Sequence, residues 1–126
     1  MRTRIALGAL LAGVSVILGA FGAHSLKTIL PPEKLAGFQT AVHYQMIHSL
    51  AILLTGVLSM QLGEPENRKL LLPANCFLVG IALFSGSIYI LTLGGPKLFG
   101  PITPLGGLAF MTGWFSLAYT FFKKNN

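Results

Sequence analysis

The chain has 126 residues, enough for one small domain, and more than half are hydrophobic while only 10% are charged. Soluble domains carry roughly 25% charged residues, so an ordinary water-soluble enzyme fits this composition poorly. The net charge is +6, no aspartate occurs, and the acids are Glu33, Glu64 and Glu66.

The positions of the charges decide the class. In order they are Arg2, Arg4, Lys27, Glu33, Lys34, Glu64, Glu66, Arg68, Lys69, Lys97, Lys123 and Lys124. They leave four charge-free windows, 5–26, 35–63, 70–96 and 98–122. Each exceeds the ~20 residues a helix needs to cross a bilayer. The expected fold is all-α: an integral membrane protein, residues 1–126 forming a single domain of four transmembrane helices. The cations stand at span ends rather than along one face, which speaks against nucleic acid and for membrane orientation. Arg2, Arg4, Arg68, Lys69, Lys123 and Lys124 fall on one side, and Lys27, Lys34 and Lys97 on the other. The positive-inside rule then puts both termini in the cytoplasm.

The first span, about 5–24, follows a basic start and ends among small residues, as a signal peptide would. Its apolar run is longer than the about 7–15 residues of a signal core, so it reads as a retained span. Gly8, Ala12, Ser15, Gly19 and Gly22 make a small-residue seam along it. Such seams let helix backbones approach closely in lipid, where hydrophobic drive between helices is weak. Span two, about 35–60, is preceded by Pro32 and Glu33, a helix-start signal. Counted from Pro32 it is ~40 Å long, more than the hydrocarbon thickness. Span three, about 72–93, offers Cys76, Gly80 and Ser87 as small positions. A lone cysteine forms no internal disulfide and in an apolar helix is a packing residue. LGGPKLFGPITP then turns the chain, and Thr103 is expected to cap a helix starting at Pro104. Span four, about 103–122, carries the small residues Ala109, Gly113, Ser116 and Thr120 and ends in Tyr119, Phe121 and Phe122 before its lysines. Short loops predict an antiparallel up-down-up-down bundle.

The polar residues inside the spans are the candidates for function. His43 and His48 are ~140° apart on a helix and cannot share one narrow face. Gln39 lies one turn from His43, and Tyr44 one turn from His48. A neutral imidazole has one donor and one acceptor, and Ser15, Ser85 and Ser87 on other spans are expected partners. The candidate polar cluster or ligand site is therefore His24, Gln39, His43, Tyr44, His48, Ser85 and Ser87. The favoured reading is an interhelical hydrogen-bond network that fixes helix register. The sharper alternative is ligation of a haem, copper or zinc by histidines from neighbouring helices. With three histidines and no adjacent carboxylate, no metal site is assigned. No HExxH, GxSxG, P-loop or CxxC motif occurs. All three glutamates lie outside the windows, so a proton-coupled exporter, which needs an intramembrane carboxylate, is disfavoured.

Four stretches carry a resemblance: LGAFGAHSLK at 18–27, FQTAVHYQMIHSLAILL at 38–54, LFSGSIYIL at 83–91 and FGPITPLGGLAFMTGW at 99–114. In order and over essentially the whole chain they resemble the YgdD-like family of small four-span membrane proteins, classed by a domain of unknown function. The resemblance implies a multi-pass protein of the bacterial cytoplasmic membrane and brings no accepted activity, substrate or cofactor. It matches Gly19, Gly22, His24, Gln39, Thr40, Ala41, Tyr44, His48, Ser85, Gly86, Pro101, Pro104, Gly106, Gly107 and Trp114 to the family's motif positions.

The resulting expectation is a non-catalytic structural or accessory component, without an assigned cofactor, whose partners are membrane lipid and either a second copy or another membrane protein. A membrane-embedded binder of haem, metal, quinone or lipid through His24, His43 or His48 is the alternative. A transporter or channel for a small neutral solute ranks last.

Overall fold

Apolar runs of more than 20 residues must satisfy their backbone internally if they are to lie in lipid, and helices do so within one segment. The structure, a computed structural model describing residues 1–123, is built accordingly. Lys124, one of the cations used above to orient the chain, lies outside the described residues. Helix α1 (Arg2–His24) runs into a 3₁₀ turn, Leu26–Thr28, and α2 (Pro32–Gln61) follows. A second 3₁₀ turn, Glu66–Leu70, leads into α3 (Leu71–Gly80), a π-helical turn (Ile81–Ser85) and α4 (Gly86–Thr92), which together make the third span. After a 3₁₀ turn at Lys97–Phe99, α5 (Ile102–Phe122) is the fourth. Among the described residues, four helical stretches are thus long and apolar enough to cross a membrane.

The caps follow local chemistry. Pro32 occupies the first position of α2, where its missing N–H costs nothing, and Glu33 sits in the positively polarised first turn. Gly94, at φ 92°, takes the left-handed conformation that turns the chain after the third span. The start of α5 differs from expectation. The helix begins at Ile102 rather than Pro104, and Thr103 does not cap it, because its hydroxyl is spent on Ser87 of the third span.

Helix α2 is the central element: 44% of its most apolar window is buried, against 17% for the corresponding windows of α1 and α5. Helix α1 packs on α2, the third span packs on α2 and also touches α1, and α5 packs on α3 and the π-helical turn. The small-residue positions make this possible. A methyl group at Gly8 would press on Ile52, and one at Gly22 would press on Phe38, so α1 lies close along α2 through these glycines. Gly19 meets Val42 at ordinary van der Waals range, Ser15 is buried, and Ala12 is half-buried. Between α3 and α5 the glycines interlock with rings: Gly80 faces Phe110, and Gly113 faces Phe77. The core cluster built there is Ala51, Ile52, Phe77, Ile81 and Phe110.

The third span is not the uninterrupted α-helix that its charge-free window suggests. In the π-helical turn the Gly86 N–H donates to the carbonyl of Ile81, five residues back. Gly106 of α5 meets the turn so closely that a side chain there would overlap the Phe84 backbone nitrogen. Interruptions of this kind re-aim the side chains around them. Here Ser85 points at α2 and Ser87 at α5.

Candidate functional site

Polar groups at mid-span must find partners inside the protein, since lipid offers none. Gln45 and His48 stand near the middle of the 30-residue α2, and both are buried. Three residues apart, they face different neighbours.

Gln45 joins three helices. Its side-chain amide donates to the Leu11 carbonyl of α1 at 2.9 Å, and its side-chain carbonyl accepts from the Tyr89 hydroxyl of α4 at 2.6 Å. The same Leu11 carbonyl accepts the Ser15 hydroxyl at 2.9 Å. Tyr89 also stacks obliquely on Phe38, with ring centroids 5.2 Å apart. Ser85 adds a second tie between the third span and α2, donating to the Ala41 carbonyl at 2.7 Å.

His48 faces the other way. Its Nδ1 lies 2.7 Å from the Tyr44 carbonyl, and its Nε2 lies 3.0 Å from Trp114 Nε1 on α5. A carbonyl only accepts and an indole N–H only donates. The ring is therefore the neutral tautomer with its proton on Nδ1, and both nitrogens are engaged. Phe110 stacks on the imidazole, with centroids 3.6 Å apart and planes 12° from parallel. Phe77 and Trp114 close round it at 5.6 and 5.8 Å. Tyr44 lies near-parallel to the imidazole at 5.9 Å, is 6.1 Å from Phe110 and packs on Phe84 at 4.7 Å.

Beside this aromatic box, α2 and α5 part to leave a lateral groove of about 480 Å³. His43, Tyr44, Ile47 and His48 form one wall, Gly107, Phe110, Met111 and Trp114 the other, and Phe84 also lines it. Its surface is mostly apolar.

The seven polar residues singled out from the sequence do not form one cluster. His48 and Tyr44 belong to the aromatic box, Ser85 bonds α2, and Ser87 bonds Thr103. His24, Gln39 and His43 are exposed, and of these His43 shares the groove wall with Tyr44 and His48. The histidine's interhelical partner is Trp114 rather than any of Ser15, Ser85 or Ser87, all of which are spent elsewhere. The structure adds Gln45, Tyr89, Thr103 and Phe110 to the residues that the sequence singles out. Gln45 was visible as a polar residue within a charge-free window, and Trp114 as a tryptophan well short of the span end, where an interfacial belt would place it. Among the described residues, no three His, Cys, Asp or Glu side chains come together in a metal-binding group. Ligation by His48 Nε2 would first require breaking its bond to Trp114.

Comparison with known proteins agrees with this architecture. A family described as "Protein of unknown function (DUF423)" matches residues 18–107. A UPF0382 membrane protein of Staphylococcus haemolyticus is 41% identical over 123 residues, covering 98% of each chain. One from Haemophilus influenzae is 40% identical over 111 residues, covering 88% of this chain and 86% of its own. YwdK, a UPF0382 membrane protein of Bacillus subtilis, is 41% identical over 117 residues, 90% and 91% of the two chains. No solved structure matches.

Proposed function

The chain belongs to the DUF423 family of small membrane proteins, and within it we propose that this protein is a non-catalytic accessory component of the bacterial cytoplasmic membrane. It acts through contact with lipid and with a second copy or another membrane protein, and both of its termini lie in the cytoplasm. One observation carries the reading: the buried polar side chains near mid-span are hydrogen-bonded within the bundle. Gln45 bonds at both ends of its amide, His48 at both ring nitrogens, and Ser85 and Ser87 each bond another span. A residue used in proton transfer or nucleophilic attack needs a lone pair or proton aimed at a substrate, whereas these are engaged by groups of their own or neighbouring helices. The outer faces of α1 and α5, sparsely buried, supply surface for partners.

The test is extraction of the tagged protein into lipid-preserving polymer discs, with absorption spectroscopy, metal analysis and native mass spectrometry. The expected result is a colourless, metal-free assembly that contains a second copy or one other membrane protein at fixed stoichiometry. A monomer carrying a stoichiometric chromophore or metal contradicts the proposal. Orientation is tested by membrane-impermeant labelling of single cysteines added at each end in a Cys76→Ala background, with labelling expected only after the membrane is opened.

The lateral groove favours a second reading, a membrane-embedded binder of a flat or chain-like apolar molecule such as a quinone or an acyl chain. Its aromatic walls suit such a guest, and it opens sideways between α2 and α5.

A further inference from the structure

At the end of the molecule away from His43, α3 begins beside the last turns of α5. The two enclose a cleft of about 320 Å³ lined by Arg68, Lys69, Leu72, Ser116, Tyr119, Thr120 and Lys123. We propose that this cleft seats an anionic phospholipid, its phosphate held between Arg68 and Lys123 and its first acyl carbons lying along Leu72 and Tyr119. The site is separate from the aromatic groove, with which it shares no lining residue.

Charge and shape both point to this occupant. Three cations from two separate elements converge on one cleft, whose remaining surface is mostly apolar. Lys69 is paired with Glu66 at 2.7 Å, so Arg68 and Lys123 are the cations that define the headgroup position. Lys123 Nζ stands 6.0 Å from the centre of the Tyr119 ring, and both residues line the cleft. The Ser116 and Thr120 hydroxyls donate to carbonyls of their own helix, at 2.9 Å each, so recognition rests on charge. Phosphate oxygens suit a forked guanidinium beside a point-charge ammonium. A free phosphate ion would leave the apolar half of the cleft unused. A zwitterionic lipid would bring a second, repelled cation. Basic pockets between helix ends are known to bind anionic headgroups, and each cation near a membrane surface contributes about fivefold in affinity.

Native mass spectrometry of the detergent-purified protein with palmitoyl-oleoyl phosphatidylglycerol or phosphatidylcholine tests this. The wild type is expected to retain phosphatidylglycerol about fivefold or more over phosphatidylcholine. The double variant R68Q/K123Q loses that preference. R2Q, which removes an exposed cation outside the cleft, keeps it. L72W retains every charge but fills the cleft, and is expected to lose phosphatidylglycerol as well. Because Leu72 is exposed, this variant keeps the test open if the double variant fails to fold. Millimolar inorganic phosphate is expected to leave the lipid bound. Equal retention of the two lipids, equal losses in R2Q and R68Q/K123Q, an unaffected L72W, or displacement by phosphate alone would each overturn the proposal.

Discussion

Replacing Gln45 by leucine removes a side chain that bonds both α1 and α4. Leucine has nearly the same volume, so no large cavity opens, and the loss falls on two hydrogen bonds, to Leu11 O and from Tyr89 Oη. Interhelical hydrogen bonds within membranes average about 0.6 kcal/mol and reach about 1.7 kcal/mol. Two of them put the cost of Q45L between about 1.2 and about 3.4 kcal/mol. Tyr89→Phe breaks only the second bond and leaves the Gln45 carbonyl without that donor. In a double-mutant cycle the Gln45–Tyr89 coupling is expected at about 0.6–1.7 kcal/mol. Steric-trapping or denaturant unfolding in bilayer discs measures all four proteins. If Q45L is neutral and the coupling is zero, then the Gln45 clasp does not hold the three helices together, and the account of the spans as internally satisfied fails with it.

Two glycines one residue apart make a sharper steric test. Gly106→Ala drives a methyl into the Phe84 backbone, which no rotamer can relieve, and is expected to cost at least the about 1–3 kcal/mol of overpacking. Gly107→Ala meets nothing within 4 Å and is expected to be neutral, or to gain up to about 1 kcal/mol from helix propensity. The same unfolding assay reads both, and equal effects would contradict the close crossing at the π-helical turn. Trp114 is the protein's only tryptophan and lines the lateral groove, so its emission reports on that groove. Lipids brominated on the acyl chain are expected to quench it strongly, and an unquenched signal would mean the groove is closed to lipid. His48→Ala removes the acceptor of its N–H and is expected to shift the emission maximum, whereas His43→Ala, which bonds no indole, leaves it unchanged.

Much of the architecture is legible from twelve charges and a few prolines and glycines. The charge-free windows locate four spans because burying a charge in hydrocarbon is costly wherever it occurs along a helix. The small residues of α1 mark its packing side for a similarly local reason, since only they allow backbones to approach. The site was read less well. His48 was picked out by being ionisable, but its partner depends on which residue of α5 comes level with it, and that register is set by the glycine–phenylalanine interlock between α3 and α5. Gln45, which joins three helices, carries no charge and does not titrate, so its sequence signal is weaker than that of the histidines. His24, Gln39 and His43 looked similar to His48 in sequence, and only the helix contacts separate the outward side chains from the inward one. The π-helical turn has no sequence signature of its own, because it answers to Gly106 on another helix.

The buried polar residues near mid-span act as internal clasps, and His48 offers the most direct test of this. Nitrogen-15 NMR of the histidine-labelled protein in lipid discs, assigned with His24→Gln and His43→Gln, distinguishes a protonated ring nitrogen from a bare one. The account predicts a neutral His48 at neutral pH with the proton on Nδ1 and a bare Nε2 coupled across a hydrogen bond to the Trp114 N–H. A proton on Nε2, a doubly protonated ring, or a signal displaced by a bound metal would contradict it.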